Sequence, residues 1–296
     1  MAVQPRSAFS PASDARFGIA GLQLALSPGD NLANVASEVD SLARRFPWVR
    51  MVVAGELCGF GANPSFAQCL PGDAEALFCE LALKHKLWLI PGSLYESRDG
   101  AVFNTTPVIN PAGQVVGRYR KMFPFAPYER DIAAGDEFLV FEVPGVGRFG
   151  VSICYDMWFP ETTRSLCSLG AEVILHPTMS NTIDRDVEIA IARASAATNQ
   201  CYFVDVNVAG DLGLGQSVIC GPGGEVIHQA GSGREVIAFE ADFDYLRRCR
   251  DRGWHGLGQP LKSFRDNRAV YPAYGAAATV SEYLSSLGPL EVPSRD

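Results

Sequence analysis

From about residue 17 onward, apolar and polar positions alternate in a way that sorts the chain into strands and helices. Phe17 to Leu26, with Ile19, Leu22 and Leu24, reads as a first strand. Asp30 or Asn31 can cap a helix running to about Phe46, because Leu32, Val35, Val39 and Leu42 recur on one face. Val49 to Ala54 is an apolar run of strand length, which implies burial on both faces. Gly72-Asp73 opens a helix to about Lys86, and Leu87 to Leu94 reads as the third strand. Val102–Ile109 and Gln114–Tyr119 flank Asn110-Pro111-Ala112-Gly113, a hairpin signal. Phe138–Val143 and Arg148–Ile153 form a second hairpin turning at Pro144-Gly145. A strand at Glu172–His176, a helix from about Asp184 to Asn199 and a strand at Tyr202–Asn207 follow. Ser217–Cys220 and Glu225–His228 make a third hairpin, Glu235–Ala241 a last strand, and Asp242–Arg250 a short helix.

Strands alternate with helices in both halves, and hairpins interrupt them. That pattern predicts an α/β fold with mixed rather than purely parallel sheets. The two halves can form two sheets packed face to face between helices, and no linker splits them. Residues 1–16 are rich in Ser, Pro and Ala and read as a flexible lead-in to a single domain over 17–250. From Asp251 the pattern breaks into Gly, Pro and charge, yet Trp254, Leu257, Leu261, Phe264, Tyr271 and Tyr274 make 251–296 too apolar for a free tail.

Composition narrows the function classes. The 296 residues suffice for one large core, and 47% apolar with 20% charged residues is ordinary for a globular protein. A formal charge of −8 without any Lys/Arg-rich run argues against a nucleic-acid partner. No apolar run approaches the roughly eighteen residues a membrane helix needs. No basic-then-apolar signal opens the chain, so the eight scattered cysteines read as reduced thiols and the expected location is cytoplasmic. There is no Cys-x-x-Cys and no His-x-x-x-His, and the four histidines lie far apart, so a metal site is not expected.

The stretch Phe149-Gly150-Val151-Ser152-Ile153-Cys154-Tyr155-Asp156-Met157-Trp158-Phe159-Pro160-Glu161 carries the chemistry. A short buried strand stops at Cys154, a polar turn follows, and Pro160 suits the first turn of a helix. Such a strand-to-helix turn holds a side chain at the mouth of a sheet among backbone N–H groups, a good place for a nucleophile. A thiol is only a few per cent thiolate at neutral pH and needs a base. Glu56 fits, following one strand, if burial raises its pKa. Lys121 follows another strand into the loop Lys121-Met122-Phe123-Pro124-Phe125-Ala126-Pro127-Tyr128-Glu129, and Glu129 lies in the same loop. From periodicity alone, Glu56 reads sooner as a turn-capping carboxylate, and Lys121 with Glu129 as an ordinary loop ion pair, since most charged residues merely face solvent.

The chain resembles the nitrilase superfamily, the carbon–nitrogen hydrolases, in its amidase-like branch. Gly55-Glu56-Leu57 with Gly59-Phe60 resembles the family's glutamate motif, Gly55 standing where Pro is frequent. Arg120-Lys121 through Pro124, Pro127 and Glu129 resembles its lysine motif, and Ile153-Cys154-Tyr155-Asp156 with Phe159-Pro160-Glu161 its cysteine motif. Arg193, Ala194, Asn199-Gln200, Asn207, Gly215, Ser217, Pro222 and Gly224 extend the match over roughly Phe17 to Asp242. The resemblance implies a four-layer αββα sandwich, a homodimer or larger even assembly with 251–296 at the subunit interface, and neither metal nor organic cofactor. It implies Glu56 as general base, Cys154 as nucleophile, Lys121 and the Tyr155 N–H as oxyanion donors, and Glu129 as a positioning carboxylate. Phe60, Phe125, Tyr128, Tyr155 and Trp158 are expected to line an acyl pocket for a small uncharged amide. Tyr155-Asp156 after the cysteine favours an amide over a nitrile. An N-carbamoyl amine hydrolase, a silent scaffold of the same fold and a peroxide-sensing thiol are the competing readings.

Overall fold

The computed structural model describes residues 15–126, 128–271 and 282–290. Strands β1 (Arg16–Gln23) and β2 (Ala25–Leu26) lead into helix α1 (Leu32–Arg45), β3 (Val49–Ala54) and α2 (Asp73–His85). Four strands follow: β4 (Trp88–Ile90), β5 (Leu94–Arg98), β6 (Ala101–Ile109) and β7 (Val115–Arg120). Then come β8 (Leu139–Val143), β9 (Gly147–Val151), a tight turn at Cys154–Trp158, α3 (Pro160–Ser168) and β10 (Val173–Thr178). The remainder is α4 (Arg185–Asn199), β11 (Tyr202–Asn207), β12 (Ala209–Gly210), β13 (Val218–Cys220), β14 (Val226–Gln229), β15 (Glu235–Asp242), α5 (Phe243–Arg252), α6 (Pro260–Asp266) and α7 (Glu282–Ser286).

The strands form two mixed sheets, with β2 and β12 paired in parallel as a separate two-stranded sheet. One runs β15-β1-β3-β4-β6-β5, with β7 beside β6; the other runs β14-β13-β11-β10-β9-β8. Each has a parallel centre, β1/β3/β4 and β9/β10/β11, and antiparallel flanks. The pleat sorts the side chains into layers. Ile19, Met51, Val53, Leu175, Val204 and Ile219 point between the sheets, where Phe149 also lies. Ala20, Leu22 and Val52 point the other way, onto Val35 and Val39 of α1 and Phe78 of α2. Ile174, Phe203 and Val218 point onto Leu166 of α3 and Ala192 and Ala196 of α4. The result is the expected αββα sandwich. Helix α1 shows the local logic: Val35, Val39 and Leu42 form its buried stripe, Asp30 Oδ1 accepts the Leu32 N–H at 2.9 Å, and Arg44 and Arg45 complement its C-terminal end.

Several boundaries differ from the sequence reading, the first being Phe17 to Leu26, which breaks at Leu24 into β1 and β2. Leu87 to Leu94 is not one strand. Pro91-Gly92 ends β4, and a new strand, β5, pairs with β6 around Asp99-Gly100. Gly92 has φ +80°, and a Cβ there would lie 1.9 Å from the Gly55 carbonyl oxygen, so only glycine fits this crossing under the glutamate loop. At the start, Arg16 already belongs to β1 and Ala15 accepts the Phe243 N–H at 2.7 Å. Residues 1–14 of the proposed lead-in, Pro127 and Tyr274 lie outside the described residues. Leu261 of α6 packs beside the α3–α4 layer and Phe264 lies 5.0 Å from the Arg164 guanidinium, so this part of the arm folds onto its own chain.

The core between the sheets is knit by rings. Phe149 is fully buried and meets Phe17, Phe141 and Phe243 at centroid distances of 5.7, 5.6 and 5.8 Å. Phe149→Ala leaves a cavity there and is expected to cost about 3–5 kcal/mol, read as a lower urea midpoint at unchanged slope.

Candidate active site

Four sequence-predicted residues meet where strands of both sheets end. Glu56 follows β3, and its N–H donates to the Thr178 carbonyl at the end of β10 (3.2 Å), tying one sheet to the other. Gly55 accommodates this crossing, since a Cβ would meet Val208 at 2.6 Å. Lys121 follows β7 and donates its backbone N–H to the Asn104 carbonyl on β6 (2.9 Å). Glu129 closes a turn in which Phe125 N donates to its Oε2 (2.8 Å) and its own N–H returns to the Phe125 carbonyl (2.8 Å).

Cys154 follows β9 with φ +45°, a left-handed conformation that L residues adopt at a cost and that recurs at strained nucleophile turns. Asp156 braces the turn. Its carboxylate accepts the Ile153 N–H (2.8 Å), the Phe123 N–H (2.9 Å) and the Tyr119 hydroxyl (2.7 Å). Burial pushes the Asp156 carboxyl up to about 6, against these three donors. Pro160 opens α3 as expected.

Lys121 is the hub. Its Nζ donates to Glu56 Oε1 (2.8 Å) and Glu129 Oε2 (2.7 Å), and all three side chains are buried. Asn104 bridges the same pair, its Nδ2 donating to Glu56 Oε1 (2.8 Å) and Glu129 Oε1 (2.7 Å). Glu56 Oε2 accepts the Met179 N–H (2.9 Å), and the Cys154 thiol lies close enough to the same carboxylate for the two to interact electrostatically. Burial raises the Glu56 carboxyl above its ordinary value, opposed by Lys121 and reinforced by Glu129. Burial opposes the charge of Lys121, but Glu56, Cys154 and Glu129 outweigh it and hold the ammonium well above its usual range. Burial and Glu56 keep Cys154 well above the ordinary thiol range. Burial thus raises both the Glu56 carboxyl and the Cys154 thiol while the lysine stays an ammonium, so a carboxyl group and a buried thiol sit around one fixed positive charge.

Acceptor geometry leaves specific vacancies. A carboxylate oxygen has two lone-pair sites. Glu56 Oε1 takes two donors, so the opening toward Cys154 is on Oε2. Glu129 Oε2 also takes two, which leaves one site on Oε1. Lys121 has one N–H left.

A cavity of about 290 Å³ opens above these groups. Phe125, Tyr128, Tyr155 and Trp158 line it, as the sequence reading expects of them; Phe125 and Tyr155 lie 5.0 Å apart. Phe60 does not. Leu57 at φ +49° and Gly61 at φ +73° turn the loop away, and Phe60 stacks on Phe66 at 5.2 Å in the α1-side core. Residues that the sequence reading missed complete the walls: Tyr95, Met179, Ser180, Asp184 and Glu188. Asn207, from the end of β11, fixes Ser180 by accepting its N–H (2.8 Å) and donating to its carbonyl (3.1 Å). Among the described residues no group of three or more His, Cys, Asp or Glu is placed to hold a metal ion, and no helix is long and apolar enough to cross a membrane.

Comparison with known proteins agrees with this geometry. The family model described as carbon-nitrogen hydrolase matches residues 17–251. The omega-amidase NIT2-A of Xenopus laevis is 28% identical over 257 residues, covering 80% of this chain and 93% of the relative. The crystal structure of Saccharomyces cerevisiae Nit3, a member of branch 10 of the nitrilase superfamily, matches with a TM-score of 0.75 at 26% identity, over 81% of this chain and 96% of that one. An amidase from Nesterenkonia sp. shares the fold, with a TM-score of 0.69 at 24% identity over 79% of this chain and 94% of that one. The chain belongs to the carbon–nitrogen hydrolase family, within the nitrilase superfamily.

Proposed function

We propose that this chain hydrolyses the carbon–nitrogen bond of a small amide, releasing a carboxylic acid and ammonia through a thioester on Cys154. The observation that carries the reading is the buried Glu56–Lys121–Glu129 cluster beside a strained, buried thiol. Cys154 Sγ attacks the amide carbon as its proton passes to Glu56 Oε2. The oxyanion takes the third N–H of Lys121 and the N–H of Tyr155, a first-turn donor that the turn itself does not use. As the oxyanion collapses, Glu56 gives its proton to the nitrogen, the C–N bond breaks and ammonia leaves. Water then adds to the thioester, its proton moving to Glu56 and on to sulfur as the C–S bond breaks.

Glu129 favours an amide over a nitrile. The spare acceptor site on its Oε1 suits an N–H of a substrate –NH2 group, which a nitrile lacks. The far wall of the cavity narrows the acyl group. Asp184 and Glu188 line it, Glu188 is ion-paired to buried Arg185 (3.2 Å), and Lys121 is the one cationic side chain among the described lining residues. A carboxylate on the acyl tail meets acidic side chains there, and the nearest cation, Arg185, is already held by Glu188 and Asp205.

The chain is read further as a cytoplasmic homodimer. All eight cysteines are free, and Cys154 must stay reduced to act, which suits a reducing compartment. Leu257 is 73% and Ile183 96% exposed, apolar surface of a kind that a second subunit covers, and the arm 251–296, which lies on its own chain at α6, carries part of that surface. Light scattering at micromolar concentration is expected to give twice the chain mass; a monomer contradicts it.

Mass spectrometry of protein quenched during turnover of a slow amide should find the acyl adduct on Cys154, with Cys154→Ala carrying none and releasing no ammonia. Lys121→Ala should lose at least ~10²–10³-fold in turnover, the scale of one oxyanion donor. A fully active Cys154→Ala protein rules the mechanism out. Kinetics on matched substrates should rank a neutral amide above its nitrile, and above the same amide with a terminal carboxylate by at least about tenfold, or ~1.4 kcal/mol. A preference for the nitrile or for the acid overturns the corresponding half of the substrate reading.

A further inference from the structure

Asn104 sits on β6, fully buried, and does not line the cavity. Its backbone carbonyl accepts the Lys121 N–H, and its amide N–H groups go one to each glutamate. The amide has one workable orientation, because its oxygen would repel both carboxylates. That orientation leaves Oδ1 in the interior with no partner among the described protein atoms. Native structures keep few such orphans, and one is a poor way to stabilise a core. The two N–H bonds, not packing, explain an amide at this position.

We propose that Asn104 is a positioning residue that assigns separate tasks to the oxygens of the two glutamates, an inference that rests on Glu56 acting as the base. With Lys121 and Asn104 both on Oε1 of Glu56, Oε2 is left to face the thiol. With Asn104 on Oε1 and Lys121 and Phe125 N on Oε2, Glu129 is locked about its terminal torsion, its one open acceptor site fixed in direction. Remove the amide and both carboxylates regain a rotation that the broad terminal torsion permits. The groups acting on Glu56 are then Lys121 after β7, Glu129 in the same loop, Cys154 after β9 and Tyr95 on β5, while Glu188 of α4 acts on Cys154 electrostatically. Losing an N–H donor to the carboxylate favours its protonated form, so Glu56 takes up a proton at higher pH.

Alkylation of Cys154 by iodoacetamide tests this without knowledge of the substrate. The parent's rate should fall on the acid side as Glu56 protonates, and Glu56→Gln should abolish that limb. In Asn104→Ala the limb should move to higher pH and the rate above it should drop. With an amide substrate, kcat should fall about a hundredfold, the scale of a misplaced reacting group, while KM changes little because Asn104 does not touch the cavity. Asn104→Leu, of similar size and without either the donors or an added charge, should behave alike and replaces the alanine variant if circular dichroism finds that one unfolded. A folded variant whose alkylation profile superimposes on the parent overturns the inference. If Glu56→Gln keeps the limb, the base assignment fails and the inference with it; if it loses the limb while Asn104→Ala leaves the profile unmoved, the inference fails alone.

Discussion

The structure depends on a lysine ammonium held in the interior between two carboxylates. A lone charge there is prohibitive, and even a paired one repays its desolvation only when geometry and further hydrogen bonds are good. Lys121 meets that condition through Glu56 and Glu129, and the glutamates through Asn104, Met179 N and Phe125 N. Removing Lys121 strands two carboxylates in the interior, whereas removing either glutamate leaves the lysine one partner. That interdependence is also what makes it useful. The ammonium keeps Glu56 able to ionise although burial pushes it the other way, and the glutamates keep the ammonium charged where an oxyanion is to form.

The sandwich supplies the rigidity that this requires. Glu56 follows a strand of one sheet and Cys154 a strand of the other, and the two loops are joined by the Glu56 N–H to Thr178 carbonyl bond and by the Tyr119–Asp156 contact across the sheets. The helices cover the outer faces, packed on the sheets and tied to them by the Arg118–Glu75 and Arg185–Asp205 pairs. Chemistry therefore sits at the seam, where displacement of one sheet against the other moves base and nucleophile apart. Groups on strand ends are placed more accurately than groups on free loops.

Much of this was legible in the sequence because it is local. Tyr202–Asn207 falls on its apolar run, and Cys154, Pro160 and the turn between them follow from residue order. The αββα layering came from the alternating pattern together with the family resemblance. What escaped depends on distant partners or on backbone direction. Asn104 finds its glutamates 48 and 25 residues away, and nothing in Phe103-Asn104-Thr105-Thr106 announces them beyond polar residues inside an otherwise strand-like run. Asp156 reads as part of a motif, but its hold on Tyr119 is visible only across 37 residues. Phe60 looks like a pocket residue because it stands four places from Glu56, and the positive φ of Leu57 sends it elsewhere. The break at Pro91-Gly92 was hidden by apolar residues on both sides.

The left-handed backbone at Cys154 has an evolutionary reading. At φ +45° the proposed nucleophile occupies a conformation that glycine reaches without strain, so a protein that uses it carries a local tension that an inert one need not. Cysteine replaced by glycine there would silence the chemistry and relax the turn in the same step. A lineage released from selection for turnover thus has a downhill route to a well-folded pseudoenzyme, and the return journey is uphill. Retention of cysteine at this position, among related sequences, would be a record of continuous demand for the reaction and not of any need of the fold.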